Sequence, residues 1–479
     1  MNTITETMHA RQGRASARLP TDVRYTLAVP DDARRALARG WMWLGLLALI
    51  GSGVFSLLLV LARTPGINAW LPGTDFFRVA LVVHVDLSVL VWFVALAGML
   101  WSLNSAPRAT AWGWFALAGC GTGALLMCLS AFLGNGAPVM ANYIPVLERP
   151  LFLFALVLFA LGSAVLVTHS LWAAPKPGPA IDGLGALRFG LNAAAVSGAV
   201  AIGAFAWSFA VVPLELEGKA YYEILFWGGG HALQFTWTLL MLVAWLALAS
   251  ASGARLPISP RITVLMFTLA LVAVFVTPYA YLAHDIASVE HRALLTWAMR
   301  IGGGLAIAPI ALAVVLGLIA APAADASGRP LRAALVWSIT LFVAGGVIGV
   351  FINGANVRIP AHYHGCIVGV TLALMGLAYH LLPRLGYASV DSRMAALQPA
   401  VYGIGQLMHI TGLVWSGGYG VQRKVAGADQ VLRSSGEIAG MGLMGLGGLV
   451  AIVGGLLFVV VMLRALRAGA AASVCEARA

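Results

Sequence analysis

Residues 358–370 read RIPAHYHGCIVGV. Two histidines, His362 and His364, stand one residue apart at the mouth of a long apolar run, where an imidazole is expensive to place. On a helix, residues i and i+2 point about 200° apart, so these two rings cannot grip one metal ion together. Each can serve a different cofactor, one on either face of the same helix. Haems meet that requirement, because an apolar bundle buries their rings and imidazole is a natural axial ligand.

The rest of the chain supplies such a bundle. It has 479 residues, 61% of them hydrophobic and 10% charged, with a mean hydropathy of +0.91. That composition excludes a soluble domain and predicts an all-α, polytopic membrane protein. Twelve apolar runs are long enough to cross a bilayer: 39–62, 77–103, 112–134, 149–173, 189–213, 222–250, 261–284, 293–321, 332–353, 360–383, 397–418 and 438–463. The expected organisation is a polar, Arg-rich cytoplasmic tail over 1–36, a twelve-helix transmembrane domain over 37–466, and a short cytoplasmic tail over 467–479. With both termini inside, the inner segments carry 19 Lys and Arg and the outer loops carry 9. That bias fixes the expected orientation, in a bacterial inner membrane surrounded by lipid. It also accounts for the net charge of +11 without a nucleic-acid partner. The four cysteines show neither a disulfide framework nor a zinc-knuckle spacing.

Nine of the ten histidines fall in or beside these runs. At about 1.5 Å per residue, His84, His231, His284, His362 and His364 all reach the outer half of the membrane, from runs two, six, seven and ten. Five imidazoles at one level predict a shared cofactor layer, since a scatter of packed histidines needs no common depth. His169, His380 and His409 lie deeper or near the inner side and read as packed residues bonded to neighbouring carbonyls.

These residues resemble those of a known family, the catalytic subunit of haem–copper oxidases and nitric oxide reductases. The match rests on His84 in VALVVHVDLSVLVWF, His231 in FWGGGHALQF, His284-Asp285 in YAYLAHDIASVEHRALLTW, and His362 and His364 in AHYHGCIVGV. The loop ANYIPVLERP (141–150) resembles a Tyr-Glu-Pro loop of the nitric oxide reductase and C-type oxidase branches. The resemblance implies that His84 and His364 ligate a low-spin haem and that His362 is the proximal ligand of a high-spin haem, both haems being b-type. It implies that His231 and His284 hold a non-haem metal, copper or iron, facing that haem. Arg423 and Lys424, in GGYGVQRKV, resemble the basic pair that holds haem propionates.

The sequence also departs from the family. Where two adjacent histidines are usual, it has His284-Asp285, so Asp285 is the expected third ligand; a carboxylate oxygen shifts preference from copper toward a harder ion such as iron. His291, seven residues on, is a rival on nearly the same helical face. Four residues after His231, where many oxidases place tyrosine and common nitric oxide reductases place glutamate, stands Phe235. Tyr279 and Tyr281 are not at the position of the span-seven tyrosine of C-type oxidases, and Arg300 is the sole charge in run eight.

A missing tyrosine and a His-Asp pair favour reduction of nitric oxide to nitrous oxide over reduction of dioxygen to water. With no CxxCH motif and no cysteine cluster, electrons are expected from a partner subunit carrying a covalent haem or a dinuclear copper. Asp86, Glu148 and Glu223 are candidate entries for protons, or structural partners for arginine. A twelve-span transporter and a haem-based sensor are the rival readings. The triplet Gly228-Gly229-Gly230, which a transporter could use as a helix break, is read here as room for a haem edge.

Overall fold

The computed structural model describes residues 23–62, 76–108, 110–178, 181–354, 356–423 and 432–476. Twelve helical passages run back and forth: α1 (Ala33–Ala62), α2 (Phe76–Asn104), α3 (Thr110–Ser130), α4 (Pro150–Trp172), α5 (Gly183–Val211), α6 (Gly218–Ala251), α7 (Pro260–Ala283), α8 (Val289–Ala320), α9 (Gly328–Val350), α10 (Arg358–Leu381), α11 (Arg393–Gly418) and α12 (Ser435–Glu476). Eleven are long and apolar enough to cross a membrane by composition alone. The twelfth, α11, is 26 residues long and carries Gln398, Gln406 and His409 among its apolar residues. The protein is a multi-pass, all-α membrane protein. Large side chains such as Phe115, Phe154, Phe209 and Ile319 are exposed on its flanks, where lipid is their natural neighbour.

Burial is uneven, and the unevenness places the site. In their most apolar stretches α6 and α10 are each 78% buried and α2 is 67% buried, against 28–39% for the other helices that meet the same criterion. These three central helices carry His231, the His362/His364 pair and His84. A polar relay locks two of them to α9: Trp245 Nε1 donates to Ser338 Oγ at 2.7 Å, and Ser338 Oγ donates to Gly369 O at 2.6 Å. The two helices on either side of Gly345 and Gly365 touch backbone to backbone, and a Cβ on either glycine would overlap its neighbour. Small residues of this kind are what let membrane helices approach closely.

Several helices are interrupted, and each interruption lies near a candidate residue. Asp86–Val91 is a π-helical segment inside α2, starting two residues after His84; such bulges recur at functional sites. In α7 the helix pauses at Phe275, three residues before Pro278, which has no N–H to donate to the preceding turn. Between α3 and α4 a small hairpin pairs β1 (Pro138–Val139) with β2 (Val146–Leu147). Its second strand is fully buried, and Arg149 beside it donates to Ser130 O and Ala131 O at the end of α3.

Residues 23–32, part of the expected cytoplasmic tail, pack against the end of the bundle that holds Ile258 and Thr263. Tyr25 is 1% exposed; its hydroxyl donates to Ile258 O at 3.0 Å and stands 2.7 Å from Thr263 Oγ1. Burial pushes the Tyr25 phenol up to about 12. At the other terminus α12 continues to Glu476, beyond the boundary at 466 that hydropathy suggests.

Candidate active site

His84 is held from α1. Its Nδ1 lies 3.0 Å from Ser52 O, and the hydroxyls of Ser52 and Ser56 are each 3.0 Å from the same nitrogen. A carbonyl only accepts, so Nδ1 carries the proton and Nε2 keeps its lone pair. The same logic fixes two more rings. His231 Nδ1 is 2.8 Å from Trp227 O, and His362 Nδ1 is 2.7 Å from Gly345 O. Metal-ligating histidines characteristically donate their other ring N–H to such a partner. In all three, Nε2 is the nitrogen left for an iron or a metal ion.

His364 is arranged differently. It interacts electrostatically with His84 and His409, and the His409 ring stands 4.6 Å away, edge to face. His409 is itself anchored through Nδ1 to Met444 O at 3.0 Å. The structure thus brings His84 and His364 into one neighbourhood and adds His409 to it, a residue the sequence marked only as packed. Asp86, 1% exposed, has both carboxylate oxygens buried without a hydrogen-bond partner.

His231 is 3% exposed and His291 is 1% exposed. His291 interacts electrostatically with His231, His284 and Asp285. His284 ends the helical part of α7 in extended conformation. Asp285 faces outward. It is exposed, its Oδ1 accepts from Ala287 N at 2.8 Å, and its carbonyl accepts from Ser288 Oγ at 2.6 Å. Among the described residues, no group of three His, Cys, Asp or Glu side chains is gathered closely enough to hold a metal ion. The pattern His-Asp signalled a ligand pair; in the structure Asp285 also makes the turn between α7 and α8, a common task for aspartate.

A phenol absent from the expected position arrives from elsewhere. Tyr143, in the loop between β1 and β2, places its hydroxyl 2.9 Å from His231 Nδ1 and 3.1 Å from Nε2. Burial holds this phenol well above its ordinary range, with a smaller push from Tyr363, so it is a protonated donor. The three expected glycines do not open room for a cofactor edge. A side chain on Gly228 would strike Tyr281, one on Gly229 would strike Phe205, and one on Gly230 would strike Tyr143. Tyr281 turns its hydroxyl to Ser208 Oγ at 2.6 Å and packs edge-on against His291 at 4.7 Å.

Basic groups collect beside α10. Arg423 hydrogen-bonds Tyr363; Lys424 lies outside the described residues. A bridge between Asn356 and Gln422, with Val357 N donating to Val421 O at 3.0 Å, brings Arg358 toward Arg423. Arg358 Nε and Trp227 Nε1 are buried donors without a protein acceptor. Two such donors fit carboxylate groups of a bound cofactor at this end, and the carbonyl-anchored imidazoles fit its iron. The sequence signal for Arg358 was its place in the same stretch as the histidine pair.

The chain is similar to known proteins over most of its length. A chain from a heme-copper terminal oxidase dimer solved by cryo-EM superposes with a TM-score of 0.66 at 16% identity, covering 92% of this chain and 84% of that one. An uncharacterised protein of Rickettsia prowazekii (strain Madrid E) is 28% identical over 496 residues, covering 88% of this chain and 94% of its own. One from Aquifex aeolicus (strain VF5) is 29% identical over 356 residues, covering 72% and 85%. The model of the family described as cytochrome c and quinol oxidase polypeptide I matches residues 36–464. The chain therefore belongs to the cytochrome c and quinol oxidase polypeptide I family, and is a membrane oxidoreductase subunit of the heme-copper type that serves respiratory electron transport.

Proposed function

We propose that the chain is the catalytic subunit of a reductase that converts nitric oxide to nitrous oxide. In this reading His84 and His364 hold a low-spin b-type haem, His362 holds a high-spin b-type haem, and His231 and His284 hold a non-haem ion, copper or iron. The observation that carries it is the placement of the histidines. Four sit on the three most buried helices, and three of those have Nδ1 committed to a carbonyl. For the third donor to the ion, the burial of His291 and its interactions with His231 and His284 support it above Asp285, which is exposed and whose carboxylate serves its own turn. Arg423, Lys424 and Arg358 supply charge for haem propionates.

When bound, the high-spin haem and the neighbouring ion supply the face that takes a diatomic gas and the electrons that reduce it. The chain's own residues set the geometry. α10 turns His362 and His364 to opposite sides, so one helix serves both haems. Phe235, 4% exposed, lines the same helix as His231 and keeps its surroundings apolar. Coupling two nitric oxide molecules needs two electrons and two protons and yields nitrous oxide and water, with no phenol required. Electrons come from a partner subunit carrying a covalent haem or a dinuclear copper, and both termini face the cytoplasm.

A second reading, dioxygen to water, is favoured by the Tyr143 hydroxyl at His231. The purified complex, given a chemical electron donor, separates the two. We expect nitrous oxide to accumulate from nitric oxide faster than dioxygen is consumed. Faster dioxygen consumption with no nitrous oxide overturns the first reading in favour of the second.

A further inference from the structure

We infer that Tyr143 is a positioning residue of the metal centre: the hairpin between α3 and α4 reaches over the bundle and sets the ring of His231. The inference rests on the reading of His231 as a metal ligand. Three independent observations meet at this tyrosine.

The first is contact. The Tyr143 hydroxyl is within 3.1 Å of both ring nitrogens of His231. The Nδ1 proton is already committed to Trp227 O at 2.8 Å, so the phenol oxygen packs against the ring without taking that proton. A position so nearly equidistant from two nitrogens lies against the ring rather than along the Nε2 lone pair, and that direction stays open for an ion. The three rings also pack on one another. Trp227 and His231 centroids are 4.7 Å apart, Tyr143 and His231 are 5.1 Å apart, and Tyr143 meets Trp227 edge-on at 6.0 Å. His231 is thus clamped between a residue one turn before it and a residue 88 positions away.

The second is the seat. Gly230 leaves bare backbone under the Tyr143 ring, and a Cβ there would overlap ring carbons. Those atoms belong to the root of a rigid ring and cannot swing aside, so the seat exists only because residue 230 is glycine.

The third is the backbone. Tyr143 has φ 68° and, among the described residues, is the sole non-glycine with positive φ. Bulky residues rarely adopt this conformation, and it persists where the surroundings over-determine it. Here they do: Ala141 N donates to Val139 O and Ile144 N to Asn142 O, both at 2.9 Å, and Val146 and Leu147 bury completely. The loop is held so that its tip delivers this ring to this histidine. With the imidazole fixed on both sides, Nε2 keeps one direction in the absence and in the presence of an ion, and the aromatic cap keeps water off it.

The test uses the intact complex. Tyr143→Phe removes only the hydroxyl, Gly230→Ala removes the seat, and the double variant removes both. Non-haem metal per chain is measured by elemental analysis through a graded chelator challenge, with the low-spin haem absorption as internal control. We expect metal retention to weaken about 10-fold in Tyr143→Phe and up to about 100-fold in Gly230→Ala, the range seen for outer-shell partners of metal ligands. The double variant should be no weaker than Gly230→Ala, and the low-spin band should be unchanged throughout. Wild-type retention in Tyr143→Phe overturns the inference, and decides it alone if Gly230→Ala loses the low-spin band by misfolding. His231→Ala tells the two failures apart: if that variant keeps its metal, it is the reading of His231 as ligand that falls, and the positioning role falls with it.

Discussion

In the proposed reading the two faces of α10 serve sites built from different materials. On the His364 face the groups come from within helices: His84, two residues before the π-helical segment of α2, with Ser52 and Ser56 on α1, and His409 with Met444 across α11 and α12. On the His362 face the groups come from ends and turns. His284 terminates α7, His291 N–H donates to the capping Ser288 Oγ in the first turn of α8, Asp285 makes the turn between them, and Tyr143 rides on a hairpin. Helix interiors move as rigid units, whereas turns adjust with less loss of packing. A site that only passes electrons gains from the first arrangement. A site that must accept an ion and a gas gains from the second.

That contrast breaks most directly at its centre. His364→Ala should remove the low-spin haem altogether, read as loss of one of two haems per chain by the pyridine haemochrome method; two retained haems would detach His364 from the low-spin site. Next in size, His231→Ala should abolish gas turnover and non-haem metal while sparing the low-spin band, so that one face fails without the other. Surviving turnover would show that the His362 face is not where the chemistry occurs. A finer cut separates His291 from Asp285. His291→Ala should weaken metal retention by about 10- to 100-fold, and Asp285→Ala should leave it within about twofold. The reverse order would return Asp285 to the metal.

The smallest effect lies away from both faces. Asp32 accepts from the Arg34 N–H at 2.9 Å at the start of α1, and its hydrogen bond and ion pair with Arg34 hold its carboxyl below the ordinary carboxylate range. A depressed carboxylate contributes stability above its unfolded pKa and loses it as pH falls through the folded value. The side chain is largely solvated, so Asp32→Asn should cost within about 1 kcal/mol at neutral pH, vanishing in acid, by thermal unfolding in detergent.

The helical runs were legible because hydrophobic length is written locally: eleven passages carry it outright, and α11, diluted by Gln398, Gln406 and His409, still reads as an apolar run. The neighbourhood of His84 and His364 was legible for a related reason, since depth can be counted from the start of each run. What the sequence hid is where turns go. Tyr143 lies in a loop with no periodicity, and nothing near it indicates that it crosses to α6. The one signal was Gly228-Gly229-Gly230, correctly seen as room but assigned to a cofactor; each glycine instead seats an aromatic ring from Tyr281, Phe205 or Tyr143. Asp285 is a different case. Its adjacency to His284 suggests a ligand pair, while its place in a tight turn, which the sequence does not show, sets its direction. Residues 23–32 were polar enough to suggest solvent, yet Tyr25 finds both Ile258 O and Thr263 Oγ1 inside the bundle end.

The claim on which the rest stands is that one end of this bundle binds two unlike haems. A reduced-minus-oxidised absorption spectrum of the purified chain, repeated under carbon monoxide, addresses it in a single preparation. The account requires two haems per chain, with the bands of one shifted by carbon monoxide and the bands of the other unmoved. A chain with no haem, with one haem, or with two that respond alike would contradict it.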